Sequence, residues 1–354
     1  MWSCDLCRSA GDNDDMITQK DTIRGQHSWQ SELKKSFLSL DEFLHEIEIK
    51  ADQLSGSVLR GANFQFRVTK QYASRIKKGD PTDPLLLQVL PTVIENYSSS
   101  AYTSDPVGEL LLLSQQTKVL KKYNGRGLIV MTGACAINCR YCFRKNYPYS
   151  GNVGQVAIAA ALDEIAHDSS ISEVILSGGD PLFLNDVVLN SVFSQLAEIK
   201  HVKRLRIHTR LPVVFPERLT QEFVSTLSGL PYQVCMVIHA NHPNELDDDV
   251  LKKLSNCKRA GITLLNQSVL LKDINDSPQI LAELSERLFE GGVLPYYVHL
   301  LDKVSGAEHF DVSLKEALMI EQKLRQMLSG YLMPKFVKEV AGADSKTPIS
   351  ELRL

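Results

Sequence analysis

Three cysteines, Cys135, Cys139 and Cys142, stand in the run Cys-Ala-Ile-Asn-Cys-Arg-Tyr-Cys, a C-x3-C-x2-C spacing within one short stretch of chain. Iron–sulfur clusters are held by thiolates, commonly four, so a compact trio leaves one iron of a four-iron, four-sulfur cubane without a protein ligand. Such an open iron can take the amino and carboxylate groups of S-adenosylmethionine, and an electron from the cluster then breaks the sulfonium bond to give a 5′-deoxyadenosyl radical. The alternative for cysteines this close is zinc, which wants a fourth Cys or His at similarly short range. None follows. Cys235 lies in an apolar strand pattern and Cys257 in a helical one, both as packing residues. The spacing therefore favours the cluster. Cys4 and Cys7 form a second C-x2-C without a further pair nearby, and read as bystanders.

The cysteine run is positioned by a strand. An apolar, β-rich stretch at 128–132 leads into it, and five more follow at 173–176, 204–208, 233–239, 263–270 and 295–301. Helical patterns separate them at 156–167, 187–199, 216–227, 246–260 and 280–289, with a last one at 314–328. Strands recurring roughly 30 residues apart predict consecutive βα units and a parallel sheet. Polar residues gather just past the strand ends: Ser177-Gly178-Gly179-Asp180, His208-Thr209-Arg210, His239-Ala240-Asn241-His242 and Asp302. That is the end at which βα barrels place their chemistry, so the expected fold is α/β, a partial (βα)6 barrel. Glycines at 178 and 179 let a ligand approach the main chain closely, although a plain strand-to-helix turn explains them as well. Upstream, apolar periodicity at 29–54 and 66–78, closed by Gly79-Asp80-Pro81 and Asp83-Pro84, predicts a helical N-terminal domain. The expected division is 1–105 for that N-terminal segment and helical domain, 106–330 for the barrel and 331–354 for a C-terminal segment.

Composition narrows the function classes. The chain has 354 residues, 44% hydrophobic and 23% charged, an ordinary globular balance rather than a disordered one. A formal net charge of −3 provides no global positive field to draw in nucleic acid or an anionic membrane, which favours a small-molecule substrate. No stretch has the apolar length of a membrane span, and residues 1–20 are acidic and polar rather than a secretory signal. A cytoplasmic location is expected, with Met16 as an alternative start to Met1. Seven unevenly spread cysteines argue against a disulfide framework.

Several blocks, in one order, resemble the lysine 2,3-aminomutase family over about residues 105–348. They are Cys142-Phe143-Arg144, Leu176-Ser177-Gly178-Gly179-Asp180, Thr209-Arg210-Leu211-Pro212-Val213-Val214, Asn241-His242-Pro243-Asn244-Glu245, Leu265-Asn266-Gln267-Ser268-Val269-Leu270-Leu271 and Ser345-Lys346-Thr347-Pro348. The resemblance implies a radical S-adenosylmethionine isomerase that also uses pyridoxal 5′-phosphate, joined as an imine to Lys346, which makes Lys346 the expected catalytic lysine. It further implies that Tyr123, Arg126 and Lys122 hold the cofactor phosphate, Lys122 standing where the family has an arginine. Ser177, Gly178, Gly179, Asp180, His239 and Gln267 would meet S-adenosylmethionine, and Arg144 the substrate carboxylate. Asp302 and Glu339 would pair with the far ammonium of L-lysine, Glu339 being one methylene longer than the family's aspartate. An unpaired charge in such a pocket costs several kcal/mol, so two carboxylates select a diamino acid and sit badly with glutamate; arginine is the other substrate to weigh. Pro295-Tyr296-Tyr297-Val298-His299-Leu300-Leu301-Asp302, Glu339 and an end at Leu354 resemble the branch that makes (R)-β-lysine for elongation factor P. That implies a functional link to elongation factor P and its lysyl-ligase, and an electron donor such as flavodoxin or ferredoxin; a homo-oligomer is compatible with it. The rival enzyme is a radical protein without pyridoxal phosphate, in which Lys346 is merely solvated.

Overall fold

The computed structural model describes residues 29–54, 58–59, 64–110 and 117–353; Cys4, Cys7 and Met16 fall outside them. One sheet runs through the described residues in strict chain order: β1 (Val119–Leu120), β2 (Arg126–Thr132), β3 (Glu173–Gly178), β4 (Arg204–Thr209), β5 (Gln233–Ile238), β6 (Thr263–Val269), β7 (Leu294–His299), β8 (Lys335–Lys338) and β9 (Thr347–Pro348). Neighbours from β2 to β8 are parallel, while β1 and β9 lie antiparallel along the two edges. The edge strands do not pair with each other, so the sheet is an open, partial barrel. The six expected strands are β2–β7. β8 is a seventh parallel strand that periodicity does not reveal, because Lys-Phe-Val-Lys is short and half charged.

Helices cover the outer face, and their starts follow from side-chain caps. Asn185, Thr220 and Asp247 each accept a backbone N–H of the first turn, and Ser313 forms a reciprocal box with Glu316. The expected helix at 216–227 divides at Thr220 into a single turn, Pro216–Arg218, and the helix Gln221–Ser228. Strand alternation sorts the two faces of the sheet. In β4 the buried Leu205 and Ile207 belong to the hydrophobic core, and Arg206 and His208 point the other way, into the barrel. In β7 Val298 packs outward among Leu281 and Phe336, leaving Tyr297 and His299 inside.

The N-terminal region departs from the two long helices expected. Among the described residues it forms short helices at Trp29–Leu33, Leu40–Glu46, Lys70–Ala73 and Pro84–Leu87, with tight turns at Ala51–Gln53 and Val93–Asn96. Ser39, Thr69 and Asp83 each cap the helix that follows, so the periodic runs are broken by new starts. Trp29, Phe43, Tyr72 and Leu85 share one buried cluster with Leu176, Ile207 and Met236 of the barrel. This layer backs the cysteine loop: Asn138 N donates to Arg67 O at 3.0 Å and Arg140 N to Gln88 O at 2.9 Å. The Arg140 guanidinium forks onto Glu95 at 2.9 and 2.7 Å, both side chains buried.

Candidate functional site

Cys135, Cys139 and Cys142 leave the end of β2 together and form no disulfide. Burial, and the proximity of the other two cysteines, pushes the Cys135 thiol up; burial and Cys139 hold Cys142 at about 11. Without a cation such thiols stay protonated. A bound metal centre reverses that preference, so three half-buried cysteines within electrostatic reach of one another on a clamped loop fit the iron–sulfur cluster. Around them lies a polar buried shell. Arg210 Nη1 lies 2.6 Å from Cys139 Sγ and 2.7 Å from Tyr141 Oη, and Tyr141 Oη is 3.1 Å from His239 Nε2. Burial and the Arg210 charge hold His239 neutral, down to about 3.

The Ser177-Gly178-Gly179-Asp180 turn lies against this loop. Gly179 N donates to Thr132 O at 2.6 Å and Asp180 N to Ala134 O at 2.9 Å. A Cβ at Gly178, whose φ is +126°, would meet Thr132 O at 2.6 Å, and one at Gly179 would meet Gly133 C at 2.8 Å. The close approach these glycines allow is therefore to the cysteine loop itself. Asp180 is fully engaged within the protein. One carboxylate oxygen accepts from Leu182 N and Thr209 Oγ1, the other from Arg210 N and Leu211 N, so it ties the end of β3 to that of β4.

A chain of alternating charges crosses the same mouth. Arg144 is buried and forks onto Glu109 at 2.8 Å through both Nε and Nη2, while Nη1 donates to Ser177 Oγ at 2.9 Å and Gly178 O at 3.3 Å. Lys122 Nζ lies 3.2 Å from Glu109 Oε1 and 3.5 Å from Glu339 Oε1. Glu339 accepts from Tyr123 Oη at 2.8 Å and from Lys346 Nζ at 2.7 Å. Burial pushes Asp302 up to about 7; Lys346 and Lys122 oppose the rise, and the Glu339 and Glu109 carboxylates add to it. Lys346 also sits over the Tyr297 ring at 5.7 Å. Arg126 lies over the Tyr123 ring at 5.3 Å and has no carboxylate partner among the described residues. Lys346, an uncommitted guanidinium, a phenol and an ammonium thus stand together, a donor set that fits a phosphate-bearing carbonyl cofactor.

Inside the barrel His208 and His299 both feel the Lys346 charge, and burial holds each neutral; His208 Nε2 is buried without a hydrogen-bond partner among the described residues. Gln267 lies on β6 beside Tyr297 of β7. Sequence reasoning missed Glu109 altogether, since an acid after Asp-Pro-Val-Gly carries no spacing signal. It named His208 only as a strand-end polar residue, Arg210 as that and as part of a family-like block with no role attached, and Tyr141 only as the residue between two cysteines.

Residues 129–284 match the Radical SAM superfamily. The chain is 43% identical over 337 residues to the L-lysine 2,3-aminomutase of Haemophilus influenzae, covering 95% of this chain and 99% of that one. It is 42% identical over 327 residues to the Escherichia coli protein of the same name, covering 92% and 95%. With the Clostridium subterminale L-lysine 2,3-aminomutase the figures are 32% over 325 residues, 91% of this chain and 78% of that one. A cysteine trio at the mouth of an open parallel barrel and likeness along nearly the whole chain agree: this protein belongs to the lysine 2,3-aminomutase family of radical S-adenosylmethionine isomerases.

Proposed function

We propose that the protein converts L-lysine to (R)-β-lysine with the help of pyridoxal 5′-phosphate, and that the product serves the modification of elongation factor P. The observation that carries the substrate is the alternating line of charge from Arg144 through Glu109 and Lys122 to Glu339 and Lys346, with the half-buried Asp302 within reach of their charges. Arg144 supplies a planar fork for the substrate carboxylate, which must take the place Glu109 holds. Asp302 and Glu339 receive the far ammonium, and two carboxylates there match a diamino acid. Glu339 holds Lys346 at 2.7 Å and is released for the substrate when Lys346 is engaged elsewhere. Lys122, Tyr123 and Arg126 would hold the cofactor phosphate, and Lys346 its carbonyl carbon. Pyridoxal phosphate, when bound, supplies an electrophilic carbonyl for the migrating amino group and a conjugated ring over which an unpaired electron spreads. Cys135, Cys139 and Cys142 would hold the cluster, which with bound S-adenosylmethionine would supply radical chemistry at this mouth. Tyr141 and Arg144, both buried, and the half-buried His239 would help keep water from the reacting atoms.

Identity is higher to the Haemophilus and Escherichia relatives than to the clostridial one, and the Pro295–Asp302 block with Glu339 resembles the elongation-factor branch, which supports the assignment of the product. A cytoplasmic location, which the disulfide-free cysteine trio supports, goes with this function, as does an external electron donor such as flavodoxin or ferredoxin. Anaerobic incubation of the reconstituted protein with lysine, S-adenosylmethionine, pyridoxal phosphate and dithionite is expected to yield β-lysine, and Lys346→Ala to abolish it while sparing the cluster's absorbance. Isomerisation of arginine or glutamate in place of lysine refutes the substrate assignment, and full activity in Lys346→Ala refutes the role of that residue.

A further inference from the structure

A buried guanidinium touches the cysteine loop from the side of β4. Besides its contacts to Cys139 Sγ and Tyr141 Oη, Arg210 donates through Nη2 to Gln88 Oε1 at 2.7 Å and to Glu245 Oε2 at 2.8 Å. Its Nε–H is sealed from solvent and has no hydrogen-bond partner among the described residues. Glu245 is fully buried, and its other oxygen accepts from Asn241 N at 2.8 Å, His242 N at 3.1 Å and Gln88 Nε2 at 3.2 Å. The ion pair is therefore fixed in direction: its cationic end meets Cys139 and its carboxylate lies behind. Asp180 holds the backbone on which Arg210 stands, through Arg210 N and Leu211 N.

We propose that Arg210 sets the reduction potential of the cluster held by the cysteine trio, donating a hydrogen bond to the Cys139 sulfur and turning the positive end of the Arg210–Glu245 pair toward it. The inference rests on the family assignment of the cluster. Reduction adds one electron, from an external one-electron reductant, and so one negative charge to the thiolate-bound centre; no bond forms or breaks in that step. Hydrogen bonds to the sulfurs and nearby cations favour the reduced form and raise the potential, the more so where solvent is excluded. Glu245 acts in the opposite sense, being the negative end of the same pair. The two residues are positioning residues for electron entry and touch no substrate.

The test is a redox titration of the anaerobically reconstituted full chain, without S-adenosylmethionine, followed by the electron paramagnetic resonance of the reduced cluster. Iron and sulfide contents are measured first. Arg210→Gln is expected to lower the ratio of reduced to oxidised cluster at fixed potential at least tenfold, a shift of about 59 mV for one electron. Arg210→Lys keeps the charge and loses the fork, so it is expected to fall between. Glu245→Gln is expected to shift the midpoint the other way, which a merely structural role does not produce. Wild-type protein carrying arginine labelled with 15N only at the guanidinium nitrogens is expected to show a nitrogen hyperfine coupling to the reduced cluster that Arg210→Lys lacks; the Arg144 backbone N–H, which bonds to Cys142, stays unlabelled. An assembled Arg210→Gln cluster with the wild-type midpoint overturns the proposal. Should the variants fail to assemble, absence of the 15N coupling in the wild type overturns it. A chain that takes up no four-iron cluster refutes the family reading instead.

Discussion

Glu109→Gln removes the carboxylate that occupies both Nε and Nη2 of Arg144. Burial alone raises the Glu109 carboxyl, but Arg144 and then Lys122 reverse this and hold it at about 2, against an ordinary 4.5. That difference corresponds to about 3 kcal/mol in favour of the ionised form, the scale at which breaking a buried ion pair destabilises a protein. The variant is expected to be about 3 kcal/mol less stable than wild type at neutral pH without substrate. Because the folded value is depressed, this contribution is present above pH ~4.5 and fades as pH falls toward about 2. Substrate tells a second thing. If its carboxylate must displace Glu109, the variant binds lysine more tightly, with an upper bound of about a hundredfold for 3 kcal/mol. Lys122, 3.2 Å from the same carboxylate, goes on holding it after displacement, so the expected gain is nearer tenfold. Thermal melts with and without L-lysine, and lysine titration of the cofactor-loaded protein, measure both effects. A folded Glu109→Gln that binds lysine more weakly than wild type refutes displacement and makes Glu109 a support for Arg144.

Asp302, raised to about 7 chiefly by burial, is protonated in the folded apo protein below neutrality, so it contributes stability at low pH that is lost as pH rises through about 7. An arriving ammonium favours its ionised form; lysine affinity is expected to climb, by up to about tenfold per pH unit, until pH ~7 and then level off. Lysine dissociation constants measured from pH 6 to 8 should lose that slope in Asp302→Asn, and an unchanged slope assigns the dependence to another group. Glu95→Ala leaves the buried Arg140 charge of the cysteine loop without its fork, expected to cost about 3–5 kcal/mol and to speed cluster loss to a chelator. Loss of visible absorbance at the wild-type rate shows that the N-terminal layer does not clamp the loop.

What could be read from the chain alone was what is written locally. Strands β2–β7 showed as apolar runs one βα unit apart, and the cysteine trio showed because its three ligands lie on one loop. The N-terminal helices came out shorter because Ser39 and Thr69 start new turns inside runs whose apolar spacing had looked continuous. β8 stayed hidden since its four residues owe their strand to the edge that β7 offers. The ion pairs of the mouth were illegible for a different reason: Glu109 meets Arg144, and Tyr123 meets Glu339, only after the barrel brings distant segments together. Glycines 178 and 179 were visible as missing side chains, but nothing in the sequence says that the neighbour filling the gap is the cysteine loop.

The two positions at which the resemblance implies a departure from the family pattern show what only the fold can join. Lys122 in place of an arginine and Glu339 in place of an aspartate look like separate, mild changes. In the structure they meet, with Lys122 Nζ 3.5 Å from Glu339 Oε1 and 3.2 Å from Glu109 Oε1. A planar guanidinium tends to commit its fork to one carboxylate, whereas a compact ammonium can stand between two. The added methylene lets one carboxylate reach Tyr123 and Lys122 with one oxygen and Lys346 with the other. The pair thus links the groups proposed for the phosphate, the cofactor lysine and the substrate ammonium through a single acid. Shortening Glu339 to aspartate should therefore loosen contacts on both sides of the pocket, and restoring arginine at 122 should be tolerated best when that shortening accompanies it.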